Sequence, residues 1–155
     1  MARPMRHRWG GRKVAAALTG VILSPAQIQK IMTPLHLAPE LLPLGLFTRD
    51  HADSVAMIVN LVAMDSAGKG NGMWMVANEV GEILLKMRER VDQGKAWNCT
   101  ASEREDLIAG ILKMDKYMRT WTNRRYTMAA IAVDRINVEA KAKGGKLLDR
   151  VEIPA

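Results

Sequence analysis

Apolar residues recur at steps of three and four through most of the chain after residue 48, and this spacing limits the fold more than any other feature. In residues 73–91 the apolar residues that recur at these steps are Met73, Val76, Ala77, Val80, Ile83, Leu84, Met87 and Val91. The step matches the turn of an α-helix, whereas a half-buried strand would alternate apolar and polar residues. Since no segment alternates in that way, we predict an all-α fold, a single-domain bundle of about four main helices.

Three further segments have helical patterns. Residues 55–64 are apolar apart from Asn60, which predicts that the helix over residues 49–65 is the central, buried one. Thr100 and Glu103 form a capping-box pattern ahead of an apolar stripe over residues 101–121: Leu107, Ile108, Ile111, Leu112, Met118 and Trp121. We place a break at Thr122 and Asn123, which can cap a last helix over residues 123–143. The periodicity alone also permits one continuous helix.

Prolines interrupt the chain before residue 48. Pro34, Pro39 and Pro43 each remove a backbone donor and restrict the preceding residue. We therefore predict a short helix that begins at Ser24 and then an irregular segment over residues 33–47, which we call the strap. The expected division is a basic arm with a short apolar segment (1–23), the short helix and Pro-rich strap (24–48), the bundle (49–145) and a tail (146–155).

Almost all of the net charge of +7 lies in the first quarter of the chain. Residues 1–39 contain six bases and no acid, and five of these bases form an N-terminal arm: Arg3, Arg6, Arg8, Arg12 and Lys13. Such an arm is typical of contact with nucleic acid, an anionic membrane surface or a targeting receptor. The rest of the chain is nearly neutral and need not share that role.

The apolar run Val14–Leu23 has two interpretations. Behind the basic arm and ahead of Ser24-Pro25-Ala26, it resembles a secretory signal with a cut after Ala26. Alternatively, Ser24, Pro25 and Gln27 fit a helix start, with a serine cap, a proline at the first helical position and a capping box. The run is too short to span a membrane. We expect a cytoplasmic protein, and the alternative is an exported one cleaved near residue 26.

No group of residues has the spacing of a known catalytic or metal site. The glycine-rich segment Ser66–Gly72 contains Lys69 but lacks the GK[ST] order and the preceding strand of a phosphate-binding loop. His7, His36 and His51 have no metal ligand at helical spacing, and Cys99, the only cysteine, cannot form an internal disulfide. We therefore predict a non-enzymatic protein with no cofactor, metal or small-molecule substrate.

Two polar residues fall on apolar helix faces. Asn60 lies in the most apolar helix, and Asp115 follows Ile108 by seven residues and Ile111 by four, so that both should be buried. An unpaired buried charge is costly. We therefore expect a partner for Asp115 on a neighbouring helix, such as Asn60.

Methionines and bases indicate candidate binding surfaces. Met75 and Met114 flank the apolar stripes of their helices and are candidates for a partner-facing patch. Bases and aromatic residues interleave over residues 113–126, where the bases Lys113, Lys116, Arg119, Arg124 and Arg125 accompany Tyr117, Trp121 and Tyr126. This combination suits contact with phosphates and stacking on bases.

We therefore expect a small helical protein that acts by macromolecular binding. The bundle would contact a protein partner or a second copy of the chain, and the arm together with the 113–125 cluster would contact nucleic acid without sequence preference. The alternative is an exported helical protein whose first 26 or so residues are a signal segment. An enzyme without a recognised site pattern is the third hypothesis.

Overall fold

The computed structural model describes residues 22–143, and in this range all regular elements are helices. They are α1 (Pro25–Leu41), α2 (Arg49–Ser66), α3 (Met73–Asp92), α4 (Ala101–Met118) and α5 (Asn123–Ala142). The all-α prediction is confirmed, with five helices rather than about four. The arm of residues 1–13, most of the apolar run and the tail lie outside the described residues.

Helix α2 is the centre of the bundle, as its apolar sequence predicts. It packs against α1, α3 and α5, and α4 completes the arrangement by packing against α1 and α3. Val55, Ile58 and Val62 of α2 are buried in the core. One side of α2 remains open, however, since about half of the Met57 surface is exposed.

The strap prediction is wrong for residues 33–41, because α1 continues through Pro34 and Pro39 to Leu41. Each proline removes one amide donor from the helix, yet the apolar residues Ile28, Met32 and Leu35 are fully buried. Burial of one apolar face therefore outweighs the two missing hydrogen bonds. Only the connection between α1 and α2, residues 42–48, is irregular.

The structural interpretation of Ser24 is confirmed. Ser24 Oγ accepts a hydrogen bond from the Gln27 amide (3.2 Å), and Gln27 Oε1 accepts one from the Ser24 amide (2.8 Å). Immediately before this capping box, Leu23 is buried and its amide donates to the Trp121 carbonyl (2.9 Å). The start of the described chain is thus held against the end of α4.

The capping box at Thr100 is also confirmed, and a side chain of α3 adds hydrogen bonds to it. Glu103 accepts hydrogen bonds from the Thr100 amide (2.9 Å) and from both terminal nitrogens of Arg90 (2.8 and 2.7 Å). The hydrogen bonds from Arg90 lower the pKa of Glu103 to about 2. Farther along α4, a Cβ on Gly110 would lie 2.5 Å from Val80 Cγ2, so that glycine is required where α4 crosses α3.

The predicted break between α4 and α5 is present. Helix α4 ends at Met118, and Thr122 Oγ1 accepts from the Arg125 amide (3.1 Å) to cap α5. Leu107, Ile111 and Trp121 of the predicted stripe are fully buried, but Leu112 is 57% exposed and was assigned to the wrong face. Its place in the core is taken by Met114, which lies on the side of α4 that the neighbouring helices cover.

Candidate functional site

A polar network joins the ends of α2, α4 and α5. Asp65, whose side chain is only 5% exposed, accepts from Arg125 Nε and Nη2 (2.7 Å each) and from Tyr117 Oη (2.7 Å). Lys69 Nζ lies 3.2 Å from Asp65 Oδ1. Tyr117 Oη also accepts from Asn71 Nδ2 (3.0 Å), so that the turn between α2 and α3 is tied to α4.

The network controls the ionisation of its members. Burial alone would raise the pKa of Asp65, but hydrogen bonds from Arg125 and Tyr117, and the charge of Arg125, hold it below the ordinary value. Burial and the hydrogen bond to Asp65 raise the pKa of the Tyr117 hydroxyl. Near neutral pH, Asp65 is therefore a carboxylate and Tyr117 a neutral hydrogen-bond donor. These states suit a structural network that holds the helices together rather than one that transfers protons.

Arg125 belongs to this structural network. Its guanidinium lies over the rings of Tyr117 (4.9 Å) and Trp121 (5.3 Å) as well as on Asp65, and its side chain is 28% exposed. Its Nε and Nη2 groups are engaged inside the protein by Asp65 and Tyr117; that Arg125 contacts nucleic acid stays a prediction. The aromatic rings that were to stack on bases, Tyr117 and Trp121, instead pack against each other and against Arg125.

The other four bases of the cluster are exposed. Lys113, Lys116 and Arg119 follow at three-residue steps along the open side of α4, and Arg124 lies in the first turn of α5. No exposed acid interrupts residues 113–125, since Asp115 is buried. Including Lys69 and Arg125, this end of the bundle has six bases against the two carboxylates Asp65 and Asp115. We call Lys113, Lys116, Arg119 and Arg124 the basic patch.

Asp115 is buried as predicted, but its partners are not the expected one. His36 Nε2 of α1 lies 2.7 Å from Asp115 Oδ2, and Arg119 Nε lies 2.7 Å from Asp115 Oδ1. Because a carboxylate only accepts, the His36 ring nitrogen donates. Burial raises the pKa of Asp115, but hydrogen bonds from His36 and Arg119 outweigh this and lower it. Asn60 is not the partner, because α1 rather than α2 packs on this side of α4.

The remaining polar candidates have structural roles. His51 Nδ1 accepts from the Thr48 amide (2.9 Å) at the start of α2. Gly68, Gly70 and Gly72 of the glycine-rich segment have positive φ angles, which explains a turn rich in glycine. Within residues 22–143, no three His, Cys, Asp or Glu side chains come together as metal ligands. In that same range no helix is both long and apolar enough to cross a bilayer.

A groove of about 340 Å³ separates α2 from α3 along one side. Asn60 lies in its wall and is partly exposed rather than buried, so that the prediction for Asn60 is wrong. The apolar sequence predicts that α2 is covered on every side, but the side of α2 that lines this groove is open to solvent.

The two candidate partner-facing methionines separate. Met75 is 60% exposed, whereas Met114 is completely buried and cannot contact a partner. Met114 lies one turn from both Gly110 and Met118 on the covered side of α4. The prediction of a protein partner or of self-association stays a prediction.

Sequence reasoning missed the Asp65 network, the His36–Asp115 contact and the groove. Asp65 and Arg125 are 60 residues apart and His36 and Asp115 are 79 apart, and no local spacing relates such positions. The one available signal was Asp65 itself, an acid directly after an apolar helix segment. The five bases of the arm, Arg3, Arg6, Arg8, Arg12 and Lys13, lie outside the described residues.

No family model, curated protein or solved structure matches this chain.

Proposed function

We propose that this protein binds nucleic acid without sequence preference, through the basic patch and the N-terminal arm. The observation that carries the proposal is that only some of the basic side chains at the α4–α5 junction are paired with an acid. Arg125 is committed to Asp65, while Lys113, Lys116 and Arg124 are exposed and have no acidic partner within 4 Å among the described residues. Exposed bases without acidic partners are available to phosphates.

The exposed positive charges support contact with the phosphate backbone of the nucleic acid rather than with the edges of its bases. Phosphates attract Lys and Arg without regard to sequence, and binding of this kind weakens steeply with salt because counterions are released. The aromatic rings near the patch are occupied inside the fold, which disfavours the stacking that single-strand-binding proteins use. We therefore expect weak binding, with dissociation constants of roughly 1–100 μM at physiological salt.

The test compares two triple variants of the full chain. Lys113→Ala, Lys116→Ala and Arg124→Ala together remove three charges from the patch, and Lys95→Ala, Arg135→Ala and Lys141→Ala remove three exposed charges elsewhere. Binding of a labelled DNA duplex is followed by fluorescence anisotropy over a range of salt. Since each phosphate contact contributes about 0.9 to the slope of log affinity against log salt, the patch variant should lose up to about 2–3 units, while the control keeps most of its slope.

A third variant examines the arm. Arg3→Ala, Arg6→Ala and Arg8→Ala in the full chain should reduce the same slope by a comparable amount. Equal slopes for the patch variant and its control would contradict the role of the patch. If the unaltered protein does not bind duplex or single strands even at low salt, the whole proposal fails.

The export alternative conflicts with the packing of residues 22–26. A cut after Ala26 would remove the buried Leu23 together with its hydrogen bond to Trp121, and Ser24, the cap of α1. Loss of a helix cap alone costs about 1 kcal/mol. Intact mass of the protein from bacterial cells distinguishes the two: we expect residues 22–26 to be retained.

The enzyme hypothesis gains no mechanism from the described residues. His36 and Asp115 form a histidine–carboxylate pair, which is the arrangement of many general bases. A general base also needs a nucleophile within hydrogen-bond reach, and the only hydrogen bond of His36 to a described residue is the one to Asp115. The pair ties α1 to α4.

A further inference from the structure

The outer face of α4 has the residue spacing of a helix that pairs with another helix. Exposed residues follow one another at alternating steps of three and four, the spacing that keeps one side of a helix against a partner. They are Ser102, Glu105, Ala109, Leu112, Lys116 and Arg119. Leu112, near the middle, is 57% exposed. Since α1 and α3 pack on other sides of α4, this stripe is open as far as the described residues are concerned.

The charges on this face are divided along the helix. Glu105 and Asp106 form an acidic end, and Lys113 and Lys116 form a basic end that begins about 12 Å farther along α4. The uncharged residues of the stripe lie between the two ends. None of these four charged side chains has an ion-pair partner within residues 22–143. A face that changes from acidic through apolar to basic is complementary to a copy of itself turned end to end.

We propose that two copies of this chain associate through the outer faces of α4, with the two helices antiparallel. In this arrangement Glu105 lies opposite Lys116 of the second copy, and Asp106 lies beside Lys113 of the second copy. A two-fold axis relates the copies, so that each ion pair occurs twice.

The apolar centre of the face supports the same register. When Glu105 lies opposite Lys116 of the second copy, Ala109 lies opposite Leu112 of the second copy, and a small residue facing a large one fills the space between helices. A parallel pair would instead place each residue opposite itself, with acid against acid and base against base, which is destabilising. The antiparallel pair therefore satisfies the charges and the packing together.

The acidic end of the face favours a second copy over nucleic acid as its partner. Phosphates are attracted to Lys113 and Lys116 but repelled by Glu105 and Asp106, whereas a second copy neutralises both ends and removes Leu112 from water. Because the two lysines also belong to the basic patch, nucleic acid and the second copy would compete for them. The association itself does not depend on nucleic-acid binding.

The association should be weak. Helix α4 has 18 residues and is about 27 Å long, so that a face about 10 Å wide covers roughly 270 Å², against about 800 Å² per partner in a standard interface. Salt also screens exposed ion pairs. We therefore expect a reversible dimer that forms at high protein concentration and low salt.

Charge reversal in the full chain tests the pairing by sedimentation equilibrium of nuclease-treated protein. Glu105→Lys alone, or Lys116→Glu alone, should raise the dissociation constant of the dimer at least roughly fivefold, because each variant places like charges together twice. An equimolar mixture of the two variants should associate again, since a mixed pair has opposite charges at both positions. The matched controls Glu139→Lys and Lys141→Glu change the same charges on the exposed side of α5 and should dimerise as the unaltered protein does.

The outcomes separate this arrangement from others. A protein that stays monomeric at every concentration, or dimers that persist in both single variants, would overturn the proposal. A mixture that fails to associate would overturn the antiparallel register, and dimers that disappear on nuclease treatment would identify nucleic acid as the link. A measurement without substitutions guards against altered folding: the amide resonances of Ala109 and Leu112 should shift with protein concentration while that of Met57 does not. Resonances of the α4 face that stay constant would equally refute it.

Discussion

Replacing Arg125 by alanine should strongly destabilise the protein, whereas the same change at the adjacent Arg124 should not. The Asp65 side chain is 5% exposed, and Arg125 supplies two of its hydrogen bonds at 2.7 Å. Removing one partner of a buried ion pair costs about 3–5 kcal/mol. Because Tyr117 and Lys69 would still contact Asp65, we expect about 2–4 kcal/mol for Arg125→Ala. Arg124 is exposed and should change stability by less than about 0.5 kcal/mol.

Urea unfolding followed by far-ultraviolet circular dichroism measures both variants. The pH dependence provides a second check, because the pKa of Asp65 is lowered in the folded protein. Asp65 therefore stabilises the fold above the ordinary carboxyl pKa of 3.8, and this contribution is lost as the pH falls through the folded-state pKa. The difference between the wild type and Arg125→Ala should shrink in acid. Equal losses at Arg124 and Arg125, or a difference that does not change with pH, would refute the assignment of the network.

Two further pairs of variants test the packing. Leu107→Ala should cost about 2–5 kcal/mol through the cavity it leaves, whereas Leu112→Ala, the same change five residues along α4, should have almost no effect; comparable losses in thermal unfolding would mean that the buried face of α4 is misassigned. Gly110→Ala should destabilise by about 1–2 kcal/mol, since overpacking against the stiff Val80 exceeds the helix-propensity gain of up to about 1 kcal/mol. Adding Val80→Ala should cancel the clash, so that the double variant loses less than the sum of the two single changes, and strict additivity would argue against a close α3–α4 crossing.

Local sequence patterns were sufficient wherever the interaction itself is local. The capping boxes at Ser24 and Thr100 join residues three apart, and both are formed. The break at Thr122 is of the same kind, because its hydroxyl caps the helix that begins at the next residue. Such features depend on the backbone and on nearest neighbours, which the sequence states directly.

The wrong predictions all concern contacts between distant segments. Local rules disfavour a helix at proline. Helix α1 nevertheless buries Ile28, Met32 and Leu35 where it packs against α2 and α4, and this packing keeps the segment helical. Leu112 and Met114 are both compatible with an apolar stripe on α4, and only the positions of α1 and α3 determine which is covered. The sequence does not distinguish Arg124 from Arg125, and only the fold brings Asp65 to Arg125.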